Sequence, residues 1–149
     1  MTTSLRRRTL LAGLAGALAA ACRPGGDAEM ARSLADAARA VAPGQVLSLD
    51  QAVPIAWDRV MLVGPYTPPA AVRAAAGEDL PAGVERSGID RRDDINLLVF
   101  LRRGGDGLAL ELGRGLADFD RADLLRPVDR ARARLVRGAT GVLFRWQAA

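Results

Sequence analysis

Apolar residues recur at helical spacing near the start of the folded part of the chain, where Met30, Leu34, Ala37, Ala38 and Val41 share one face and Glu29, Arg32, Ser33, Asp36 and Arg39 fall elsewhere. This predicts a helix from Asp27, its candidate cap, through Val41, stopped by Pro43-Gly44. The period then shortens. Gln45–Leu49 reads as a short strand, and Trp57–Val63 as a longer one whose apolar end, Val60-Met61-Leu62-Val63, suits a sheet interior. A turn at Gly64-Pro65 leads to Thr67 as an N-cap, prolines at the first helical positions and an alanine-rich helix over Pro68–Ala76 closed by Gly77. Residues 78–94 hold Pro81, Gly83, Gly88 and many charges with little periodicity, and read as a polar loop.

Two hairpins follow. Ile95–Arg102 and Leu108–Leu112 are apolar runs joined by Gly104-Gly105-Asp106-Gly107, and Ala131–Arg137 and Val142–Trp146 are joined by Gly138-Ala139-Thr140-Gly141. Asp118–Leu125 between them suits one or two helical turns. Hairpins imply an antiparallel sheet, and two helices with apolar faces need that sheet to cover them. The expected fold is α+β: a two-layer sandwich with an antiparallel sheet of about four to six strands and two helices.

The first 22 residues have a different pattern. Arg6, Arg7 and Arg8 precede an apolar run from Leu10 to Ala21, and Cys22 ends it. The run is shorter than the roughly 20 residues a helix needs to cross a bilayer, but it suits the apolar region of a secretory signal. Small residues leading to a cysteine, here Ala19-Ala20-Ala21-Cys22, resemble the bacterial lipoprotein signal, although Leu18 stands one place further out than that pattern has it. The resemblance implies cleavage before Cys22 and acylation of its thiol, with palmitate-type chains holding the domain at a membrane, each buried methylene adding about 0.8 kcal/mol. An unmodified Cys22 behind an ordinary cleavage site is the competing reading. Arg7-Arg8-Thr9-Leu10-Leu11 is similar to the twin-arginine export signal, with general secretion as the alternative route. Arg23 stands where an aspartate would resemble inner-membrane retention, which favours the outer membrane in a Gram-negative envelope. The expected organisation is a signal peptide over 1–21, a lipidated cysteine and tether over 22–28, and a single α+β domain over 29–149.

Composition removes much familiar chemistry. The chain of 149 residues has no histidine and one cysteine, so common zinc sets, Ser-His-Asp and Cys-His nucleophile pairs and an internal disulfide are excluded. The net charge of +4 suggests nucleic acid only until its location is considered. Arg6, Arg7 and Arg8 lie in the first 21 residues, leaving 18 of the 21 basic residues against 17 carboxylates from residue 22 onward. A balanced domain in which 4% of residues are aromatic lacks the field and the stacking platform for nucleic acid.

Trp57-Asp58-Arg59-Val60 followed by Gly64-Pro65-Tyr66-Thr67-Pro68 is the most distinctive interior stretch. With Leu98-Val99-Phe100 and the apolar run Leu108–Leu112, it resembles small, uncharacterised bacterial exported proteins and lipoproteins in which Trp-Asp-x-Val opens a strand and Pro-Tyr-Thr leads into a helix. Trp57 suits a core position; Trp57, Asp58 and Tyr66 are also a candidate cleft for a ligand or partner. Arg132 and Arg134 fall on one side of a strand that turns Ala133 and Leu135 inward, making them candidate contacts for an anionic surface such as lipid phosphate or acidic glycan.

The carboxylates of Asp118, Asp120 and Asp123 lack the central glycine and terminal glutamate of a calcium loop, and no metal or cofactor is expected. The expected function is a membrane-anchored cell-envelope lipoprotein, facing the periplasm, that binds or scaffolds a protein or glycan partner without being an enzyme. A carboxylate-dependent hydrolase of envelope polymer and a periplasmic inhibitor or assembly subunit are the alternatives.

Overall fold

A computed structural model describes residues 26–148. The expected signal residues Arg7, Arg8, Leu10 and Leu11 and the acylation site Cys22 lie outside them. The chain runs α1 (Gly26–Ala40), β1 (Val46–Ser48), α2 (Leu49–Ala52), β2 (Arg59–Val63), α3 (Pro69–Ala76), α4 (Gly83–Ser87), β3 (Ile95–Leu101), β4 (Leu108–Gly113), β5 (Asp118–Phe119), β6 (Val128–Asp129), β7 (Arg134–Arg137) and β8 (Leu143–Trp146). The class is α+β, and its strands divide into two sheets of four. The first has the order β4-β3-β2-β6 and is antiparallel throughout. The second has the order β1-β7-β8-β5, with the β5–β8 pair parallel.

This division follows from the burial demands of β3. All seven of its residues are buried, so both faces of the first sheet need cover. On one face Met61, Val63, Leu97, Val99 and Leu101 pack with Val72 and Ala76 of α3, Val84 of α4 and Ile89. On the other, Val60, Leu62, Leu98, Phe100 and Leu110 meet Leu34 and Ala38 of α1 and the inner residues of the second sheet, Leu47, Leu135, Phe119 and Phe144. An amphipathic helix alone cannot cover a four-stranded face. The C-terminal hairpin completes the cover by pairing with β1 rather than with the central strands.

Several local expectations change. Asp27 lies within the first turn of α1, where its charge suits the helix N-terminus. Thr67 does not cap α3: its hydroxyl donates to the Gly64 carbonyl (2.7 Å), and Pro68 occupies the cap position, with Pro69 first in the helix. Gly77, at φ +70°, ends that helix as expected. The stretch read as a polar loop contains α4 and a turn of 3-10 helix over Ile89–Arg91, because Val84 and Ile89 are fully buried anchors. Asp118–Leu125 is not α-helical. It forms β5 and a 3-10 turn over Arg121–Asp123, whose first free amide, Ala122 N–H, donates to Asp120 (3.0 Å).

Candidate functional site

Beyond the end of β2 two turns interlock. Leu125 N–H donates to the Leu62 carbonyl (2.9 Å), and Leu124 packs so closely on Gly64 that a Cβ there would meet its Cδ1 at 2.8 Å. Both turns hold a non-glycine residue in the left-handed region, Tyr66 at φ +58° and Leu125 at +56°. Such strain persists where surrounding contacts over-determine it, and it concentrates at functional sites. Tyr66 N–H donates to the Ile89 carbonyl (2.8 Å), which fixes the backbone and leaves the side chain 61% exposed.

Pro65 and Tyr66 thereby form one wall of a cleft of about 360 Å³ that also takes in Asn96, Arg114, Asp118, Phe119, Arg121 and Leu124. Its polar side is built around Asp118. Arg114 grips that carboxylate through Nη2 (2.7 Å) and Nε (3.1 Å), while Asn96 Nδ2 (3.1 Å) and Phe119 N–H (3.0 Å) donate to Oδ1. The Arg114 guanidinium foremost, with help from Asn96 and the Phe119 amide, holds the Asp118 carboxyl below the usual carboxylate range. Arg114 also reaches the Asp93 carbonyl (3.2 Å), tying the cleft to the residues before β3.

Asn96 is 1% exposed, and its Nδ2 also donates to the Ala117 carbonyl (3.0 Å). Two acceptors on one nitrogen fix which way the amide points, leaving Oδ1 buried without a donor. An unmet acceptor of this kind costs about 1–3 kcal/mol. Arg121 is exposed and makes no ion pair among the described residues. The cleft therefore offers an aromatic face, a free cation and an orienting Arg–Asp fork. Its one carboxylate is ionised and fully engaged, which suits recognition rather than proton transfer.

The three residues expected to share a cleft are separated. Trp57 is a core residue, 3% exposed, whose Nε1 donates to the Val53 carbonyl (3.0 Å) and whose ring meets Phe100 edge-on at 5.1 Å. Asp58 accepts from the Arg103 amide (2.6 Å). Both precede β2, whereas Tyr66 follows it, and only Tyr66 lines the cleft. Arg130, which the sequence pattern did not single out for Trp57, stacks over the indole at 4.9 Å and pairs with Asp50. Arg132 and Arg134 do come together, in a depression shared with Gln147, but Arg132 sits in a 3-10 turn rather than on the strand. Ala133 and Leu135 are buried between and beyond them. Asn96 carried a legible signal, a lone amide inside an apolar strand; Arg114 and Arg121 carried none.

Among the described residues, no helix is long and apolar enough to cross a membrane, and no group of three or more His, Cys, Asp or Glu side chains is placed to hold a metal ion. No protein family, curated protein or solved structure matches the chain.

Proposed function

We propose that the chain is an exported, lipid-anchored lipoprotein of the cell envelope whose α+β domain is a binding module, and that the Tyr66 cleft is its contact site. The pattern of residues 1–22 supports the anchor, with Cys22 as the acylated residue and the outer membrane as the destination in a Gram-negative cell. One observation carries the binding role: a largely exposed tyrosine is held in strained backbone in a cleft that also holds Arg121, an exposed cation with no ion pair among the described residues. A partner supplying an anionic group for Arg121 and a face for the ring engages both features.

The two parts are tested separately. Labelling cells with a fatty-acid analogue should mark the protein, and Cys22→Ala should abolish the label; a labelled Cys22→Ala protein refutes the anchor. For the cleft, a photo-crosslinking amino acid at Tyr66 is compared with one at Arg86. A defined envelope adduct formed only from Tyr66, and lost on Arg121→Gln, supports the contact site. Adducts equal from both positions, or none from either, refute it.

A further inference from the structure

The second sheet turns Leu47, Leu135, Phe119 and Phe144 into the core, and among the described residues its other face is left largely exposed. Alternation places Val46 of β1, Arg134 and Val136 of β7, and Leu143 and Arg145 of β8 on that outer face. The register joins them into one patch, with Val46 opposite Val136 and Val136 opposite Arg145. Among the described residues the exposed large hydrophobics are Val46, Tyr66 and Leu143, and two of these three lie here, each 42% exposed. Arg134 and Arg145 are exposed and make no ion pair or hydrogen bond through their side chains among the described residues, and Arg132 stands at the rim beside Arg134. The carboxylate nearest in register, Asp118 opposite Leu143, is neutralised by Arg114.

This segregation is not a consequence of overall charge. Four of the 21 arginines, Arg6, Arg7, Arg8 and Arg23, precede residue 26, so the described residues balance 17 arginines against 17 carboxylates. We propose that the outer face of this sheet lies against an anionic lipid surface. Guanidinium groups take phosphate oxygens in a bidentate manner, and Val46 and Leu143 enter the interface between headgroups and acyl chains. A second copy of the chain is a poorer occupant, because stacking like faces would oppose arginine to arginine. The surface adjoins the Tyr66 cleft at Asp118, opposite Leu143, but shares no lining residue with it, and it requires no acyl group on Cys22.

The test uses the full chain carrying Cys22→Ser, which removes the lone thiol and the acylation site. Leu143→Cys in this background is labelled with an environment-sensitive fluorophore. Vesicles of equal parts phosphatidylglycerol and phosphatidylcholine should shift its emission to the blue, less so as salt rises, whereas phosphatidylcholine alone should not. The same label at Tyr66→Cys should stay unshifted. Arg134→Gln with Arg145→Gln should weaken the Leu143 response roughly tenfold or more, since each cation contributes to attraction at the headgroups. Arg6, Arg7 and Arg8 are common to every variant, so the local probe and the paired substitutions isolate the sheet. No shift, an equal shift at Tyr66, an equal shift on neutral vesicles or an unchanged response in the double variant overturns the proposal. So does a shift that appears without vesicles as protein concentration rises, which would mark a self-associating face.

Discussion

Replacing Trp57 with alanine separates a core role from a ligand role more cleanly than any other change. The indole is 3% exposed, donates to the Val53 carbonyl at 3.0 Å, meets Phe100 at an interplanar angle of 66° and lies under the Arg130 guanidinium. Truncating a buried tryptophan costs about 3–5 kcal/mol. Within that total the hydrogen bond accounts for about 1 kcal/mol and the edge-to-face pair for roughly 0.5–1.5 kcal/mol. The remainder is lost apolar burial and the cavity left behind. Trp57→Phe retains most of the ring but strips the Val53 carbonyl of its donor, and should cost about 1–2 kcal/mol. Urea unfolding followed by far-ultraviolet circular dichroism gives both values, provided the slopes with denaturant agree. Against an ordinary domain stability of about 5–15 kcal/mol, the alanine variant should melt much earlier and remain folded in the cold. A cost below about 1 kcal/mol for Trp57→Ala, or equal costs for alanine and phenylalanine, would refute this account of the core.

Tyr66→Gly should raise stability by about 1 kcal/mol, because glycine adopts the left-handed conformation without strain and the lost ring is mostly exposed; a lower melting temperature would contradict the strain assignment. Asn96→Asp puts a second carboxylate where Nδ2 now lies 3.1 Å from Asp118 Oδ1, and should destabilise by about 3 kcal/mol at neutral pH but less in acid. Asp118 has a folded pKa below its unfolded value of 3.8, so its contribution is fully present above that value and is lost as pH falls through the folded one. Arg114→Gln should therefore flatten the acid limb of the melting curve, and a limb parallel to that of the unaltered protein sinks the assignment. Gly107→Ala would set a Cβ 2.4 Å from the Phe100 carbonyl oxygen and should cost about 1–3 kcal/mol in a thermal melt, with an unchanged melting temperature as the contrary result.

The long-range arrangement was harder to read than the elements. The helices at α1 and α3 and the hairpins β3–β4 and β7–β8 follow from periodicity and glycine-rich turns, which act over a few residues. The partition into two sheets depends on which edges β1 and β5 choose, and strands of three and two residues carry too little pattern to state it. The cleft failed for a related reason. Trp57 and Tyr66 look like one motif in sequence, but a strand between them carries them to opposite ends. Asn96 and Asp118 meet instead, 22 residues apart, through a pairing that no local pattern encodes.

The two-sided burial of β3 also matters before the chain is folded. Ile95-Asn96-Leu97-Leu98-Val99-Phe100-Leu101 has no charge, proline or glycine, the composition that stacks readily into intermolecular cross-β assemblies when exposed. Charges bracket it, with Arg91-Arg92-Asp93-Asp94 before it and Arg102-Arg103 after it. In the native protein Arg92 is occupied with Asp94 and Glu111, a surface contact that adds little to stability. In an unfolded chain the same residues act as gatekeepers, repelling and hydrating the ends of a segment that would otherwise recruit its own copies. The charged flanks thus protect solubility during the interval between synthesis and folding, when burial cannot.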